Sequence, residues 1–252
     1  MWNLKNKKIL VTGGSKGIGS ATVTECLNLG AEVLFTARNA EEIAVFENEL
    51  KAQGHQVTGI TGDVTLEADQ NKVRDWIGEN WGTLDVLVNN AGINIRKTSL
   101  DYTTEEYRKV LEVNLIAPFE LSRLLYPFLV KGKSPAIINV ASVAALLDLQ
   151  TGSPYAMSKA GMLQQTRSLA TEWAKDGIRV NAVSPWFTLT PLTKGLLGNV
   201  DRLQQIVNIT PLKRVARVEE MSGVIAFLAM EQASYITGQN IVVDGGMSIS
   251  AF

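Results

Sequence analysis

Tyr155 and Lys159 stand four residues apart in a predicted helix and form a candidate acid–base pair. Positions i and i+4 lie on one face of a helix, so the phenol and the ammonium point the same way. A free tyrosine has a pKa of about 10, too high for ready proton exchange near neutrality, and a nearby cation lowers it. The pair suits general acid/base chemistry, although Tyr and Lys also meet at this spacing on solvated helix faces.

Strand-like apolar segments alternate with helical patterns along the chain. The predicted strands are 8–12, 32–36, 56–61, 84–89, 136–140, 179–183 and 240–243. The predicted helices are 17–29, 40–53, 66–80, 104–130, 155–175, 200–208 and 219–230. This alternation predicts α/β architecture: a single doubly wound, Rossmann-type domain over 1–252, with a central parallel seven-stranded sheet flanked by helices. The strand-free stretch 184–239 predicts a substrate-pocket insertion around 185–215, with a plain helical embellishment as the alternative.

Composition and charge argue against several classes of function. The 252 residues are 46% hydrophobic and carry a net charge of −1 without a basic patch, which argues against nucleic acid or an anionic membrane as a partner. The apolar runs are too short for a membrane span, and the first residues lack a signal-peptide core. The single Cys26 excludes an internal disulfide, and the single His55 argues against a His-based triad or metal site. We expect a cytoplasmic protein without a metal.

The first predicted strand runs into a glycine-rich turn and then directly into a helix. Gly13 permits the tight turn, Gly17 lets the backbone approach a pyrophosphate, and Gly19 allows close packing of helix on strand. The helix N-terminus then faces the anion. This placement predicts a dinucleotide site, whereas the alternative is a simple strand-to-helix turn. The predicted contacts here are Gly13, Ser15, Lys16, Gly17, Ile18 and Gly19.

The end of the second predicted strand bears on which dinucleotide binds. Sites that prefer NAD usually carry an acid there, about 20 residues past the glycine loop, for the ribose 2′-hydroxyl. In this chain Arg38 takes that place, and Lys16 lies in the glycine loop. Two cations suit a 2′-phosphate, which Arg can hold with two hydrogen bonds. The sequence therefore predicts NADP(H), and pairing of Arg38 with Glu41 or Glu42 is the alternative reading of that residue.

Taken in order, the motifs resemble those of the short-chain dehydrogenase/reductase family along nearly the whole chain. They are Thr12-Gly13-x3-Gly17-x-Gly19, Asp63-Val64, Asn89-Asn90-Ala91-Gly92, Asn114, Ser142, Tyr155-x3-Lys159 and Asn181. Within that family the chain is most similar to the tropinone reductase-like branch, through residues 185–192 and 233–239. It departs from the family at Pro185-Trp186, where most members have Pro-Gly. We expect Trp186 to narrow or line the pocket beside the nicotinamide.

The resemblance implies a catalytic set and a reaction. Ser142 and Tyr155 would hold a carbonyl oxygen, which Tyr155 protonates as hydride passes from NADPH to the ketone carbon. Lys159 would lower the pKa of Tyr155 and bind the nicotinamide ribose. The side chain of Asn114 would hold a water that leads from Lys159 to solvent. Alcohol oxidation is the same reaction in reverse.

The resemblance also implies contacts along the cofactor. Asp63 would bind the adenine amino group, with a turn or N-cap role as the alternative. The turn 90–92 would lie against the cofactor ribose, or else only pack the central sheet. Segment 185–188 would cover the nicotinamide. The cofactor residues predicted beyond the glycine loop are Arg38, Asp63, Val64, Asn90, Ala91, Gly92, Tyr155, Lys159, Pro185, Trp186, Thr188 and Thr190.

The predicted substrate pocket is mostly apolar. Its walls are Ser142, Ala144, Leu149, Trp186, Leu189, Leu192 and Leu196. No Arg or Lys stands among these residues to bind a carboxylate or phosphate. The sequence thus favours a neutral, mostly apolar ketone, cyclic ketones included, unless these residues are simply core.

The resemblance extends to assembly. The predicted helices 104–130 and 155–175 carry apolar residues beyond one core stripe, including Phe119, Met162, Leu169 and Trp173. In the family these helices pair between subunits, so we expect a homotetramer, with a dimer as the next possibility.

Two other functions remain open. A 3-oxoacyl-carrier-protein reductase of fatty-acid synthesis would use the same chemistry but needs a basic docking patch, for which Lys131, Lys133 and Arg167 form only a thin one. A non-catalytic dinucleotide-binding protein would generally have lost Tyr155 or Lys159, and both are present.

Overall fold

The computed structural model describes residues 2–150 and 152–250. Seven parallel strands form one sheet in the order β3-β2-β1-β4-β5-β6-β7. They are β1 Lys8–Thr12, β2 Glu32–Ala37, β3 Val57–Thr61, β4 Val86–Asn89, β5 Ala136–Val140, β6 Arg179–Pro185 and β7 Asn240–Val243. The predicted doubly wound sheet is confirmed, and each strand lies within two residues of its predicted bounds.

Nine α-helices connect or follow the strands in the described ranges. They are α1 Gly17–Asn28, α2 Ala40–Ala52, α3 Glu67–Asn80, α4 Thr104–Leu111, α5 Ala117–Leu129, α6 Ser153–Trp173, α7 Pro191–Leu197, α8 Val200–Ile209 and α9 Val218–Ala229. The predicted continuous helix 104–130 is wrong in one respect, because the π-helical turn Glu112–Ile116 separates α4 from α5. Helix α7 was not predicted, although Pro191 at its first turn is a known start signal.

Helices cover both faces of the sheet because the strands are apolar on both sides. Ile9 and Val11 of β1 pack with α1, α2 and α9, whereas Leu10 points to the opposite face and packs with α3, α5 and α6. Met162, Leu169 and Trp173 are also buried, so they do not form the surplus apolar surface that was predicted for them. None of the helices in the described part of the chain has the length and apolarity to cross a membrane.

The carboxyl ends of the parallel strands share one edge of the sheet. Helices α7 and α8 pack over this edge and form a separate small core in which Val143, Trp186, Leu197 and Ile206 are buried. Open α/β sheets bind ligands outside this edge. The predicted insertion therefore lies beside the place where a ligand would bind.

Candidate active site

A cleft of about 670 Å³ opens along the carboxyl edge of the sheet. The predicted cofactor residues line it, with the exception of Gly19. Of the predicted catalytic residues, Ser142, Tyr155 and Lys159 line the cleft, whereas Asn114 does not. Residues from the loops after β1 to β6 thus meet in one continuous space.

Two of the predicted pocket residues lie elsewhere. Leu189 is 55% exposed and does not line the cleft. Its neighbour Thr188 does line it and forms a β-bridge with Ala216, and successive side chains of an extended segment point to opposite sides. Leu196 packs against the small core that contains Trp186. Ala144, Leu149, Trp186 and Leu192 lie on the cleft wall as predicted.

The glycine turn after β1 is held tightly against the turn after β4. Gly13 and Gly17 have φ values of +64° and +57°, in the left-handed region that favours glycine. A Cβ on Gly19 would lie 2.1 Å from the carbonyl oxygen of Gly13. Asn90 donates from Nδ2 to the carbonyl oxygens of Thr12 and Gly13, at 2.9 and 3.1 Å. The turn is therefore compact, and Gly19 lies behind the cleft wall.

The polar groups beyond the glycine turn fit a dinucleotide. The buried Thr36 Oγ1 has no hydrogen-bond partner in the described part of the chain, although Thr36 lines the cleft. Arg38 is exposed on the cleft wall and forms no ion pair with a described residue. Glu42 pairs with Lys16 at 2.6 Å rather than with Arg38. An unpaired arginine and an unpartnered hydroxyl are suited to the phosphate and ribose of a nucleotide.

Asp63 has the turn role that was considered as the alternative, and it also lines the cleft. Its Oδ1 accepts hydrogen bonds from the backbone N–H and the hydroxyl of Thr65, at 2.9 and 2.7 Å, which is a turn role. Burial tends to raise the pKa of Asp63, but the Thr65 hydrogen bonds and the charge of Arg38 outweigh it and hold the pKa below its usual value. The carboxylate is therefore charged at neutral pH while Asp63 lines the cleft.

Tyr155 and Lys159 share a face of α6, as the sequence predicted. Burial raises the pKa of Tyr155 above its usual value, and the Ser142 hydrogen bond and the charge of Arg96 only partly oppose this. The Lys159 ammonium lies 5.9 Å from the centre of the Tyr155 ring. It donates to the carbonyl oxygen of Val140 at 2.8 Å, and burial lowers its own pKa to about 8. That Lys159 lowers the pKa of Tyr155 stays a prediction, and burial acts against it here.

The side chain of Asn114 is occupied by protein groups. Its Nδ2 donates to the carbonyl oxygen of Ile93 at 2.9 Å and to Ser158 Oγ at 3.1 Å, and its Oδ1 accepts from the Ile93 N–H at 2.9 Å. Both amide hydrogens are thus used within the protein. Asn114 ties the π-helical turn to α6 and to the segment after β4. Its Oδ1 keeps one lone pair, so the role as a side-chain water ligand stays a prediction.

Ser142 and Trp186 are each held in place by a hydrogen bond to another residue of the protein. Ser142 Oγ accepts from the N–H of Ala144 at 3.1 Å, and its hydroxyl hydrogen-bonds Tyr155 on the cleft wall. Trp186 is buried, lines the cleft, and donates from Nε1 to Thr210 Oγ1 at 3.0 Å. The expectation that Trp186 lines the pocket agrees with this position.

Several polar residues near the site were missed. Asn94 and Arg96, which follow the turn after β4, both line the cleft. The sequence predicted a substrate pocket without Arg or Lys, whereas Arg96 lines the cleft. The position of Arg96, four residues after Gly92, is the feature of the sequence that could have predicted it. A buried pair, Asn89 and Asn139, was also missed: Asn89 Nδ2 donates to Asn139 Oδ1 at 2.9 Å between neighbouring strands.

Comparison with known proteins identifies the family. The family model described as enoyl-(acyl carrier protein) reductase matches residues 13–248. A tropinone reductase homolog from Arabidopsis thaliana is 41% identical over 252 residues, covering 100% of this chain and 96% of the relative. The chain belongs to the short-chain dehydrogenase/reductase family. Its relatives place it in the tropinone reductase-like branch, and it is an NAD(P)-dependent oxidoreductase that acts on CH–OH/C=O groups.

Solved structures of this family share the whole fold. A gluconate 5-dehydrogenase from Burkholderia cenocepacia, in complex with NADP and tartrate, is 27% identical with a TM-score of 0.94, covering 99% of this chain and 98% of the other. RhlG from Pseudomonas aeruginosa, in an active-site complex with NADP, is 32% identical with a TM-score of 0.92, covering 98% of each chain. The architecture of this short-chain dehydrogenase/reductase is therefore that of family members seen with NADP.

Proposed function

We propose that the protein is an NADPH-dependent carbonyl reductase that also catalyses the reverse oxidation of the matching alcohol. The observation that carries this proposal is the single cleft that joins the glycine turn to Ser142, Tyr155 and Lys159. When bound, the nicotinamide supplies or accepts the hydrogen and two electrons of the reaction. The residues of the chain bind the cofactor, orient the carbonyl group and move a proton.

Tyr155 is suited to act as the acid in reduction. Because burial raises the pKa of Tyr155 above its usual value, its phenol holds the proton and can donate it to a carbonyl oxygen. The hydroxyl of Ser142 hydrogen-bonds the phenol of Tyr155 and can turn to the same carbonyl oxygen, where it would stabilise the negative charge that develops. Lys159 lies on the same wall and would hold the nicotinamide ribose.

Arg38 and Lys16 support a preference for NADP(H). Arg38 has no acidic partner in the described ranges, so its donors are available to a 2′-phosphate. Lys16 is paired with Glu42, but surface ion pairs contribute only about 0–1 kcal/mol, and a phosphate can displace such a pair. Similar structures contain NADP, which agrees with this preference.

We test the function by following the absorbance of NADPH, and of NADH in parallel, with a panel of carbonyl compounds. The panel runs from cyclic amino ketones and aryl ketones to a 3-oxoacyl thioester. Turnover of free ketones with NADPH supports the proposal. Turnover of the thioester alone would assign the chain to the alternative reductase of fatty-acid synthesis, and turnover with NADH alone would overturn the cofactor assignment.

Assembly, location and domain organisation stay predictions. A homotetramer through α5 and α6 is now supported by exposed Ile116, Phe119 and Met157 rather than by Met162, Leu169 and Trp173. Sedimentation analysis checks this state. We likewise propose one domain over 1–252 and a cytoplasmic location.

A further inference from the structure

The segment after β4 places a cation and an unpartnered acceptor in the substrate half of the cleft. Arg96 and Asn94 line the cleft together with Tyr155 and Leu192. Arg96 makes a single weak hydrogen bond to a described residue, from Nη1 to the carbonyl oxygen of Leu192 at 3.4 Å. Asn94 Oδ1 is buried and accepts no hydrogen bond from the described part of the chain. Both groups can therefore serve a ligand.

Lys97, the residue next to Arg96, shows that side chains after β4 can reach an acidic partner. Lys97 pairs with Glu106 at 2.7 Å, whereas Arg96 forms no ion pair within the described ranges. A guanidinium has five N–H donors, and most of those of Arg96 are unused by the protein. An arginine kept free of acids on a cleft wall is suited to an anion that comes from solution.

Arg96 also lies close to the reacting position. Its charge acts on the phenol of Tyr155 and favours the ionised form. Of the other cations that line the cleft, Lys16 pairs with Glu42, Arg38 and Lys109 act on the charge of Asp63, and Lys159 donates to the carbonyl oxygen of Val140. Among the described cleft residues, Arg96 is therefore the cation left without such a partner in the substrate half, which matches one negative charge on the ligand.

We infer that Arg96 binds a carboxylate of the substrate, and that the protein reduces a small oxo acid rather than a neutral ketone. Asn94 Oδ1 adds an acceptor for a hydroxyl group of the same molecule. A guanidinium matches a carboxylate with two parallel hydrogen bonds, so the acid would be held in one orientation relative to Tyr155. This inference rests on the proposed carbonyl reductase function and replaces the expectation of a neutral ketone.

The test compares Arg96→Leu and Arg96→Lys on two matched substrates, a hydroxylated oxo acid of five or six carbons and its methyl ester. We expect the wild type to prefer the acid. We expect Arg96→Leu to raise KM for the acid roughly 10- to 100-fold with a smaller change in kcat, because a charged hydrogen bond is lost from binding. KM for the ester should stay unchanged, and Arg96→Lys should recover part of the loss.

Two controls separate this role from others. Lys97→Leu removes the adjacent cation, which is paired with Glu106, and should leave both substrates unaffected. Fluorescence titration should give the same Kd for NADPH in the wild type and in Arg96→Leu.

The outcomes distinguish the inference from the function on which it rests. Absence of turnover with every carbonyl compound overturns the proposed reductase function itself. Turnover of the ester and other neutral ketones, with no effect of Arg96→Leu on the acid, overturns the role of Arg96 alone. Weaker NADPH binding by Arg96→Leu, with the preference for the acid unchanged, assigns Arg96 to the cofactor and also overturns it.

Discussion

The ammonium of Lys159 is hydrogen-bonded to the carbonyl oxygen of Val140, the last residue of β5, at 2.8 Å. Lys159 is therefore anchored to the strand that leads to Ser142, and Tyr155 stands beside it on α6. The bond fixes the lysine on the cleft wall before a ligand arrives. The same burial makes Lys159 a source of instability, because a buried ammonium is poorly solvated.

Replacement of Lys159 by Met should stabilise the fold at pH 7. Burial lowers the pKa of Lys159 from 10.5 to about 8. The unfolded chain thus binds more protons between pH 8 and 10.5, so wild-type stability rises with pH through that window. Such a shift corresponds to roughly 3 kcal/mol, and the lost bond to Val140 offsets about 1 kcal/mol of the gain.

Urea unfolding at pH 7 and pH 10 measures this effect. The advantage of Lys159→Met should shrink at pH 10, where the wild-type lysine is neutral when folded. The exposed Lys175→Met is the control and should show no such pH dependence. A variant less stable than wild type at pH 7 would contradict the cost assigned to burial.

Tyr155→Phe should abolish turnover while leaving NADPH binding intact. The phenyl ring keeps the packing but cannot donate a proton, and a lost general acid reduces kcat roughly 10²- to 10⁴-fold. Steady-state kinetics and fluorescence titration measure the two quantities. Tyr235→Phe, at a fully exposed position, is the matched control. Persistent turnover by Tyr155→Phe would show that another group protonates the substrate.

Arg38→Leu should change cofactor preference. Loss of a charged hydrogen bond to the 2′-phosphate should weaken NADPH binding roughly 10- to 100-fold and leave NADH binding unchanged. Arg74→Leu removes a cation that pairs with Asp75 and does not line the cleft, so it should have no effect on either cofactor. Equal losses of affinity for NADPH and NADH would mean that Arg38 does not bind the 2′-phosphate.

Release of Lys16 gives a second test of the same site. Glu42→Gln removes the acid that pairs with Lys16 at 2.6 Å. The freed ammonium should strengthen NADPH binding a few-fold, and the gain should fade at high salt because the pair is exposed. Titration at two ionic strengths measures it, and a loss of NADPH affinity would contradict the role of Lys16.

Gly19→Ala should destabilise the protein severely, whereas Gly223→Ala should not. A Cβ on Gly19 would lie 2.1 Å from the Gly13 carbonyl oxygen, so the glycine turn must move. Gly223 lies inside α9 with no atom within 4 Å of an added Cβ. Alanine there should stabilise by about 0.5–1 kcal/mol through helix propensity. Thermal unfolding compares the two, and equal stability would show that the turn adapts.

The sheet and most of the cleft could be predicted because local patterns encode them. Strand bounds follow runs of apolar residues, and the glycine turn combines with Arg38 at the next strand end to mark a nucleotide site. The roles of Ser142 and Tyr155 were predicted from the resemblance to the short-chain dehydrogenase/reductase family. Short segments of sequence determine these features, so they can be predicted from one sequence.

The remaining features depend on contacts between distant segments. The partners of Asn114 are Ile93 and Ser158, which lie 21 and 44 residues away, so its occupied side chain could not be foreseen. The pKa of Tyr155 depends on how deeply its hydroxyl is buried, and spacing to Lys159 does not report this. Arg96 was not predicted because its neighbours Ile93 and Ile95 give the segment an apolar pattern.

The packing of α9 against α1 has a consequence for synthesis on the ribosome. Val23 and Leu27 of α1 share one core cluster with Ile225 and Leu228 of α9. A nascent chain cannot complete this side of its core until α9 has left the exit tunnel. Until then the side of α1 that packs against α9 remains uncovered and open to chaperones and proteases, while β1, β2 and β3 can already pair.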